Sequence, residues 1–153
     1  MVAFSAVNEQ VINPGETAIF TANPVPCTKG FVNALQETGV FELSGGCGCG
    51  RRNGQYAVYK VDFGANISIP EGGTVGEISV AFAVDGITIP ATTMRVTPAA
   101  VEEYFNISRE FAARILAGCC QSFSIRNTSS IPIQMNDATL VIEREGFTSS
   151  GRW

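Results

Sequence analysis

Alternating hydrophobic and polar positions recur in short runs along this chain, which is the pattern of β-strands. The clearest run, over residues 78–84, places its large apolar side chains on one face and Ser79 with two alanines on the other. Asp85-Gly86 follows this run and predicts a tight hairpin turn, with a return strand over residues 87–94. We therefore expect Phe82 to lie in the core and Ser79, on the opposite face, to contribute far less to stability.

Similar runs recur at a spacing of about ten residues, which is typical of a β-sandwich or barrel. Further strands are predicted over residues 1–7, 17–20, 39–43, 55–63, 121–126 and 138–145, with an irregular edge segment at the two prolines of residues 23–26. The strand over residues 55–63 has apolar residues on both faces, as expected if both are covered. Residues 104–116 fit either a strand or a helix, and residues 98–103 are the only plausible helical turn.

The charge content of the chain is low. Charged residues make up 16% of it, below the usual quarter for a soluble domain. Because interface cores are depleted in charge, this favours a surface partly hidden in an assembly over an exposed, uncharged polar surface. The net charge of −4 and the lack of basic clusters argue against a nucleic-acid partner. No apolar run approaches the roughly 20 residues that span a bilayer, and no signal peptide is recognisable, so no membrane partner is expected.

Catalytic residue types are scarce. The chain has no histidine, which removes the commonest general base and any Ser-His or Cys-His nucleophile pair. Asp85 and Asp137 occur at predicted turns, where aspartates usually bind nearby backbone N–H groups. Glu102 and Glu103 form a paired carboxylate in a turn, and such pairs are more often solvated than catalytic. The glycines of residues 45–50 are not followed by the Lys-Ser or Lys-Thr of a phosphate loop. We therefore predict a non-enzymatic protein without cofactor or metal.

The cysteines are the sharpest local signal, and three interpretations of them stay open. They are Cys27, Cys47, Cys49, Cys119 and Cys120. A disulfide is the favoured interpretation, ordinary buried thiols come next, and a metal site comes last. Structural zinc pairs usually have two to four residues between ligands, whereas these pairs have one or none. The odd number leaves at least one cysteine free or joined to another chain.

Four stretches resemble the family of complement globular heads and tumour necrosis factor-like jelly rolls. Val2–Ala6 resembles the family's opening strand, and residues 76–86 resemble its central hairpin. The T-G-x-F…G-x-Y-x-F signature is matched by Thr38-Gly39-Val40-Phe41 and, after a loop, by Gly54-Gln55-Tyr56-Ala57-Val58. Residues 115–118, 123–125 and 138–143 resemble the final three strands. Together, the four stretches extend this likeness over residues 2–145.

The resemblance implies an all-β fold, a ten-stranded jelly-roll sandwich of two antiparallel sheets, assembled as a tight homotrimer with one sheet of each subunit facing the threefold axis. By the same likeness, residues 104–116 form a strand. We expect a jelly-roll domain over residues 1–145 and a C-terminal tail over residues 146–153. The predicted core residues are Phe41, Tyr56, Val80, Phe82, Phe123, Leu140 and Ile142.

The chain departs from the family in a long loop rich in glycine and cysteine over residues 44–53, and at Cys119-Cys120. No ligand or calcium site of the family is carried over for this reason. In the family's topology these two segments lie at the same end of the sandwich. The resemblance therefore implies a disulfide clasp, within or between subunits, that joins Cys47 or Cys49 to Cys119 or Cys120.

Two classes of function fit these expectations. The first is a structural or surface module of a virus particle, such as a bacteriophage capsid decoration or appendage trimer bound to another virion protein such as the capsid shell. The second is a receptor-binding or adhesion head on a bacterial or spore surface. Such heads usually follow a stalk, and no stalk is recognisable in this sequence, which favours the first class. The expected location is the virion surface after synthesis in the host cytoplasm, with the bacterial or spore surface as the alternative.

Overall fold

The computed structural model describes residues 1–26, 32–35, 38–44, 55–116 and 120–149. This part of the chain forms twelve strands, rather than the expected ten, and one short 3-10 helix at Pro90–Thr92. The strands are β1 Val2–Ala6, β2 Gln10–Ile12, β3 Ala22–Val25, β4 Val32–Leu35, β5 Val40–Ser44, β6 Gln55–Ser68, β7 Ile78–Val84, β8 Ile87–Thr88, β9 Met94–Val96, β10 Phe105–Leu116, β11 Cys120–Asn127 and β12 Ile133–Ser149. No helix in these ranges is long and apolar enough to cross a membrane.

The strands form two six-stranded antiparallel sheets. Sheet A has the order β10-β6-β12-β1-β3, and β2 also pairs with β12. Sheet B has the order β4-β5-β11-β7-β8, and β9 also pairs with β7. Neighbours in both sheets are far apart in sequence, as in β1 with β12 and β5 with β11. The architecture is that of a jelly-roll sandwich.

The core lies between the two sheets and is built around Phe82 of β7. Its ring contacts Phe123 of the neighbouring strand, with centroids 5.4 Å apart, and Phe63 of sheet A, with centroids 6.3 Å apart. Of the residues predicted for the core, those with described side chains are all buried: Phe41, Val80, Phe82, Phe123, Leu140 and Ile142. Tyr56 lies in β6, but its side chain is outside the described part of the structure.

The second face of β7 is also buried. Ser79, Ala81 and Ala83 are all buried, with at most 4% of the Ser79 surface exposed. The Ser79 hydroxyl shares a 2.7 Å hydrogen bond with the Thr128 hydroxyl, and Arg126 of β11 lies directly opposite Ala81. The small side chains on this face are therefore buried within the chain. Ser79 forms a hydrogen bond there that the alternating pattern does not reveal.

The outward face of β6 is also different from the prediction of two apolar faces. Ala57, Tyr59, Val61 and Phe63 all lie on the inner face and are buried. The outward side chains alternate with them and include Lys60, Asp62 and Asn66. Apart from Val58, the outward side chains of β6 that the structure describes are polar or are glycine, so the outer face is largely polar.

The predicted turn at Asp85-Gly86 is confirmed, because both residues have positive φ angles, 52° and 80°, and join β7 to β8. The return strand over residues 87–94 is broken after two residues. Pro90 begins the 3-10 helix there, and the Thr92 hydroxyl accepts a 3.0 Å hydrogen bond from the Phe82 N–H in place of a strand. Residues 98–103, predicted as a helical turn, form bends and turns instead.

Three further expectations concern where strands begin and end. Residues 105–116 form strand β10, as the resemblance implied. Residues 17–20 were expected as a strand but contribute only a single bridge, between Thr17 and Arg126. Strand β12 runs to Ser149, which pairs with Gln55, and so extends past the domain end expected at residue 145.

Candidate functional site

The predicted cysteine clasp lies outside the described residues. Cys27, Cys47, Cys49 and Cys119 fall in undescribed segments, and Cys120 opens β11 without a described side chain. The backbone pairing shows where those segments leave the sheets, since Cys120 pairs with Ser44 and Leu116 pairs with Tyr56. The strand ends that flank residues 45–54 and residues 117–119 are therefore neighbours. The disulfide itself stays a prediction.

The carboxylates at turns have structural surroundings. Asp85 accepts hydrogen bonds from the Ser122 N–H at 3.0 Å and from the Gln121 side-chain amide at 3.1 Å. These hydrogen bonds, the one from Ser122 first, lower the pKa of Asp85 and stabilise its charged form. Glu102 and Glu103 are exposed. Within the described ranges, no group of three or more His, Cys, Asp or Glu residues is placed to hold a metal ion.

The outward face of sheet A, which we call face A, carries exposed side chains on β6, β10 and β12. It is formed by Asn106, Ser108, Glu110, Ala112 and Arg114 of β10, by Val58, Lys60, Asp62, Gly64 and Asn66 of β6, by Thr139, Val141 and Glu143 of β12, and by Ala3 and Ser5 of β1. Gly64 lies at its centre between the short side chains of Ser108 and Thr139. This row of small residues creates a shallow depression of about 560 Å³.

Like charges meet on one side of the depression. Asp62 of β6 lies directly opposite Glu110 of β10, and Glu143 of β12 lies directly opposite Lys60. Lys60 forms an ion pair with Glu110, with the ammonium nitrogen 3.1 Å from a carboxylate oxygen. Partial burial and the Glu110 carboxylate raise the pKa of Asp62, and nearby Lys60 opposes them. The result is a cluster in which three carboxylates, those of Asp62, Glu110 and Glu143, surround one ammonium group, that of Lys60.

On the other side of the depression the polar groups are two side-chain amides and the Asp137 carboxylate. The Asn106 side-chain amide donates to the Asn66 side-chain oxygen at 3.1 Å, and the Asn66 amide donates to Asp137 at 3.4 Å. These three side chains are hydrogen-bonded to one another across β10, β6 and the bulge in β12. They make this part of face A polar, and the Asp137 carboxylate is the acidic group among them.

A second surface, which we call the edge cleft, opens where the edges of the two sheets face each other beside β3 and β4. It has a volume of about 610 Å³. Its floor is aromatic: the rings of Phe4 and Phe41 have centroids 4.6 Å apart, and Phe20 lies 5.8 Å from Phe41. Thr21 and Asn33 bring polar groups to its lining. An apolar floor with a polar rim suits contact with a small ligand or a protruding side chain.

Neither surface was singled out from the sequence. Asp62 is noticeable as one of three aspartates, but its opposition to Glu110 depends on a strand register that joins residues far apart in the chain. The edge cleft likewise depends on the way β1, β4 and β5 come together. The alternating pattern predicts which side chains point away from the core. It does not predict which of those side chains lie next to one another.

The chain matches no protein-family model and no curated protein. Among solved structures, it has the jelly-roll fold of a complement globular head. The globular domain of zebrafish complement 1qA protein matches 99% of this chain over 98% of its own length, with a TM-score of 0.51 and 11% identity. An identity this low shows the fold alone.

Two further structures score lower. Pika GITRL, a tumour necrosis factor-like protein, matches 92% of this chain and 96% of its own, with a TM-score of 0.38 and 10% identity. The C-terminal domain of EclA, a sugar-binding protein, matches 90% of this chain and 79% of its own, with a TM-score of 0.39 and 12% identity. These scores add no argument to the one drawn from the complement domain.

Proposed function

We propose that this chain is a non-enzymatic module that assembles as a homotrimer and forms part of the surface of a bacteriophage particle, as a capsid decoration or appendage protein. The observation that carries the proposal is the fold: the described residues form one jelly-roll sandwich, and the likeness to a complement globular domain covers 99% of this chain and 98% of that domain. Its charged fraction of 16% supports a protein whose surface is partly buried in an assembly.

The surroundings of the carboxylates in the described ranges support a structural role. The chain has no histidine, and the Asp85 carboxylate accepts hydrogen bonds from a backbone N–H and a side-chain amide of strand β11. Asp62 and Glu110 are exposed beside a shallow, open depression, where water is not excluded from a reacting group. These are surroundings of surface carboxylates and support a module that binds or builds.

The proposed partner in the particle is another virion protein, such as the capsid shell, and the proposed location is the virion surface. The test is protein mass spectrometry on density-purified phage particles from a culture that carries this gene. We expect peptides of this chain in the particle fraction, at copy numbers that are multiples of three. Recovery only from washed cells or spores, with none in purified particles, would contradict the virion role.

The second candidate is a receptor-binding or adhesion head on a bacterial or spore surface, and the edge cleft is the feature that favours it. Its aromatic floor and the polar groups of Thr21 and Asn33 suit recognition of a small external group. The same fractionation separates the two candidates, because a cell-surface head is recovered with cell envelopes or spores.

A further inference from the structure

The edge strands of the two sheets differ in how well their free edges are protected. An unpaired edge exposes backbone N–H and C=O groups, and proline, inward-pointing charge and short length are common protections. In sheet A, Pro24 lies inside edge strand β3 and has no N–H, and Pro26 follows that strand. At the other edge, Arg109 of β10 lies opposite the buried Phe63, so its charged side chain leaves from the inner face, where it donates to the Thr93 carbonyl at 3.2 Å. Both edges of sheet A are therefore protected.

Sheet B has one edge without these protections. At its first edge, β8 and β9 have only two and three residues. At its second edge, β4 has the sequence Val-Asn-Ala-Leu, with neither proline nor charge. Among the described residues, β4 pairs with β5 alone, and no strand or backbone hydrogen bond lies along its other side. The free side of β4 is therefore the edge to which a further strand can be added.

The sheet register shows which backbone groups of β4 point to this free side. The Asp85 N–H donates to the Ser122 carbonyl at 2.9 Å, so the backbone groups of Ser122 point towards β7. Backbone groups alternate between the two sides of a strand, and directly opposite residues of an antiparallel pair bond to each other at every second position. Phe123, the next residue of β11, therefore directs its backbone groups at Phe41 of β5, which lies directly opposite it.

The same alternation continues from β5 to β4. Because the backbone groups of Phe41 point to β11, those of its neighbour Glu42 point to Asn33, which lies directly opposite it in β4. The residues on either side of Asn33 point the other way. The N–H and C=O groups of Val32 and Ala34 are therefore directed away from β5, to the free side.

The free side of β4 borders the edge cleft. Val32 and Ala34 line the cleft and lie opposite Leu43 and Phe41, so their side chains belong to the face of sheet B that carries the aromatic floor. The half-buried ring of Phe20 completes this floor. None of the described residues that line the cleft is charged. Because burial of an unpaired charge is costly, this lining suits an uncharged occupant with apolar side chains.

We propose that the edge cleft holds an extended, uncharged peptide segment of a partner protein, which joins sheet B as a strand beside β4 and packs alternate apolar side chains on the aromatic floor. Val32 and Ala34 supply two N–H donors and two carbonyl acceptors. In such strand addition, main-chain hydrogen bonds give affinity and the contacts of alternate side chains give specificity. Four residues at about 3.4 Å each make a contact roughly 14 Å long. The inference goes beyond the proposed function, because it depends neither on the homotrimer nor on the particle.

The experiment is an NMR titration of the isotope-labelled chain with an uncharged seven-residue peptide of alternating threonine and valine, acetylated and amidated at its ends. We expect amide hydrogen exchange at Val32 and Ala34 to slow at least tenfold when the peptide is bound. The Asn33 N–H is directed to β5 and serves as the internal reference, with little change. The same peptide with every backbone nitrogen methylated has no donors for β4 and should not bind.

Two variants test the edge and the cleft separately. Ala34→Pro removes an N–H that makes no hydrogen bond to β5 and should raise the Kd for the peptide more than tenfold, whereas Ala34→Ser, the matched control, keeps the N–H and should bind as the parent chain does. Thr21→Glu places a charge in the cleft at an exposed position and should also raise the Kd more than tenfold. Equal binding of the methylated peptide, no binding of the unmethylated peptide at millimolar concentration, or an unchanged Kd in both Ala34→Pro and Thr21→Glu would overturn this inference and leave the homotrimer standing.

Discussion

The glycine of the T-G-x-F signature offers a sharp test of the described fold. Gly39 has a φ angle of +70°, and a Cβ atom there would lie 2.3 Å from the Ala18 carbonyl oxygen and 2.7 Å from the Thr17 hydroxyl. The Ala18 residue cannot easily retreat, because its N–H donates a 2.9 Å hydrogen bond to the Ile125 carbonyl of β11. Gly39→Ala therefore forces either a clash or a break in this contact.

The magnitude of the loss has two parts. An alanine in the left-handed region costs about 1–2 kcal/mol. Overpacking of a closed site costs about 1–3 kcal/mol more, so the free energy of unfolding should fall by roughly 2–5 kcal/mol. In a domain of this size each kcal/mol shifts the melting temperature by about 2–4 °C, which gives a decrease of roughly 4–20 °C.

The matched control is Gly15→Ala. Gly15 has a similar φ angle of +80°, but no atom lies within 4 Å of a Cβ built there, so this variant carries only the backbone cost. Urea denaturation of both variants, followed by circular dichroism, measures the difference. We expect Gly39→Ala to lose at least about 1 kcal/mol more than Gly15→Ala, the smallest overpacking cost. Equal losses would refute the close approach of the Thr17-Ala18 segment to the start of β5.

Three further predictions concern the core, a turn and the cysteines. Phe82→Ala should lower the free energy of unfolding by about 3–5 kcal/mol in urea denaturation, and Ser79→Ala by about 1 kcal/mol, because Ser79 loses a buried hydrogen bond. The lowered pKa of Asp85 stabilises the fold above the ordinary aspartate pKa, and this contribution is lost as the pH falls through the folded pKa. Asp85→Asn should therefore melt below the parent chain at pH 7, and the gap should close in strong acid; a constant gap would contradict this. Peptide mapping of the oxidised protein without reduction should join a peptide from residues 45–54 to one from residues 117–120, and five alkylated thiols would contradict the clasp.

The sequence pattern was sufficient for the local features of this fold. The alternation around Phe82 and Phe123 places both rings in the core, and Asp85-Gly86 supplies the two positive φ angles that a tight hairpin needs. Each of these features depends on a few adjacent residues. The periodicity left open whether residues 105–116 form a strand or a helix. The resemblance to the jelly-roll family implied a strand, and the structure has one there.

Features that depend on contacts between distant segments could not be predicted. After β8, the Thr92 hydroxyl accepts a hydrogen bond from the Phe82 N–H in place of a continued strand. Nothing in the local sequence pattern indicates this replacement. The polar outer face of β6 was missed because apolar residues at 56 and 58 obscured the alternation around Asp62. The position of Asp62 directly opposite Glu110 is a consequence of the register between β6 and β10.

The central claim is that this chain works as an assembled trimer, and the mass of the pure protein in solution tests it most directly. Light scattering coupled to size-exclusion chromatography, at micromolar concentration, should give about 49 kDa, the mass of three chains of 16.2 kDa. A single stable species of 16.2 kDa at the same concentration would contradict the account.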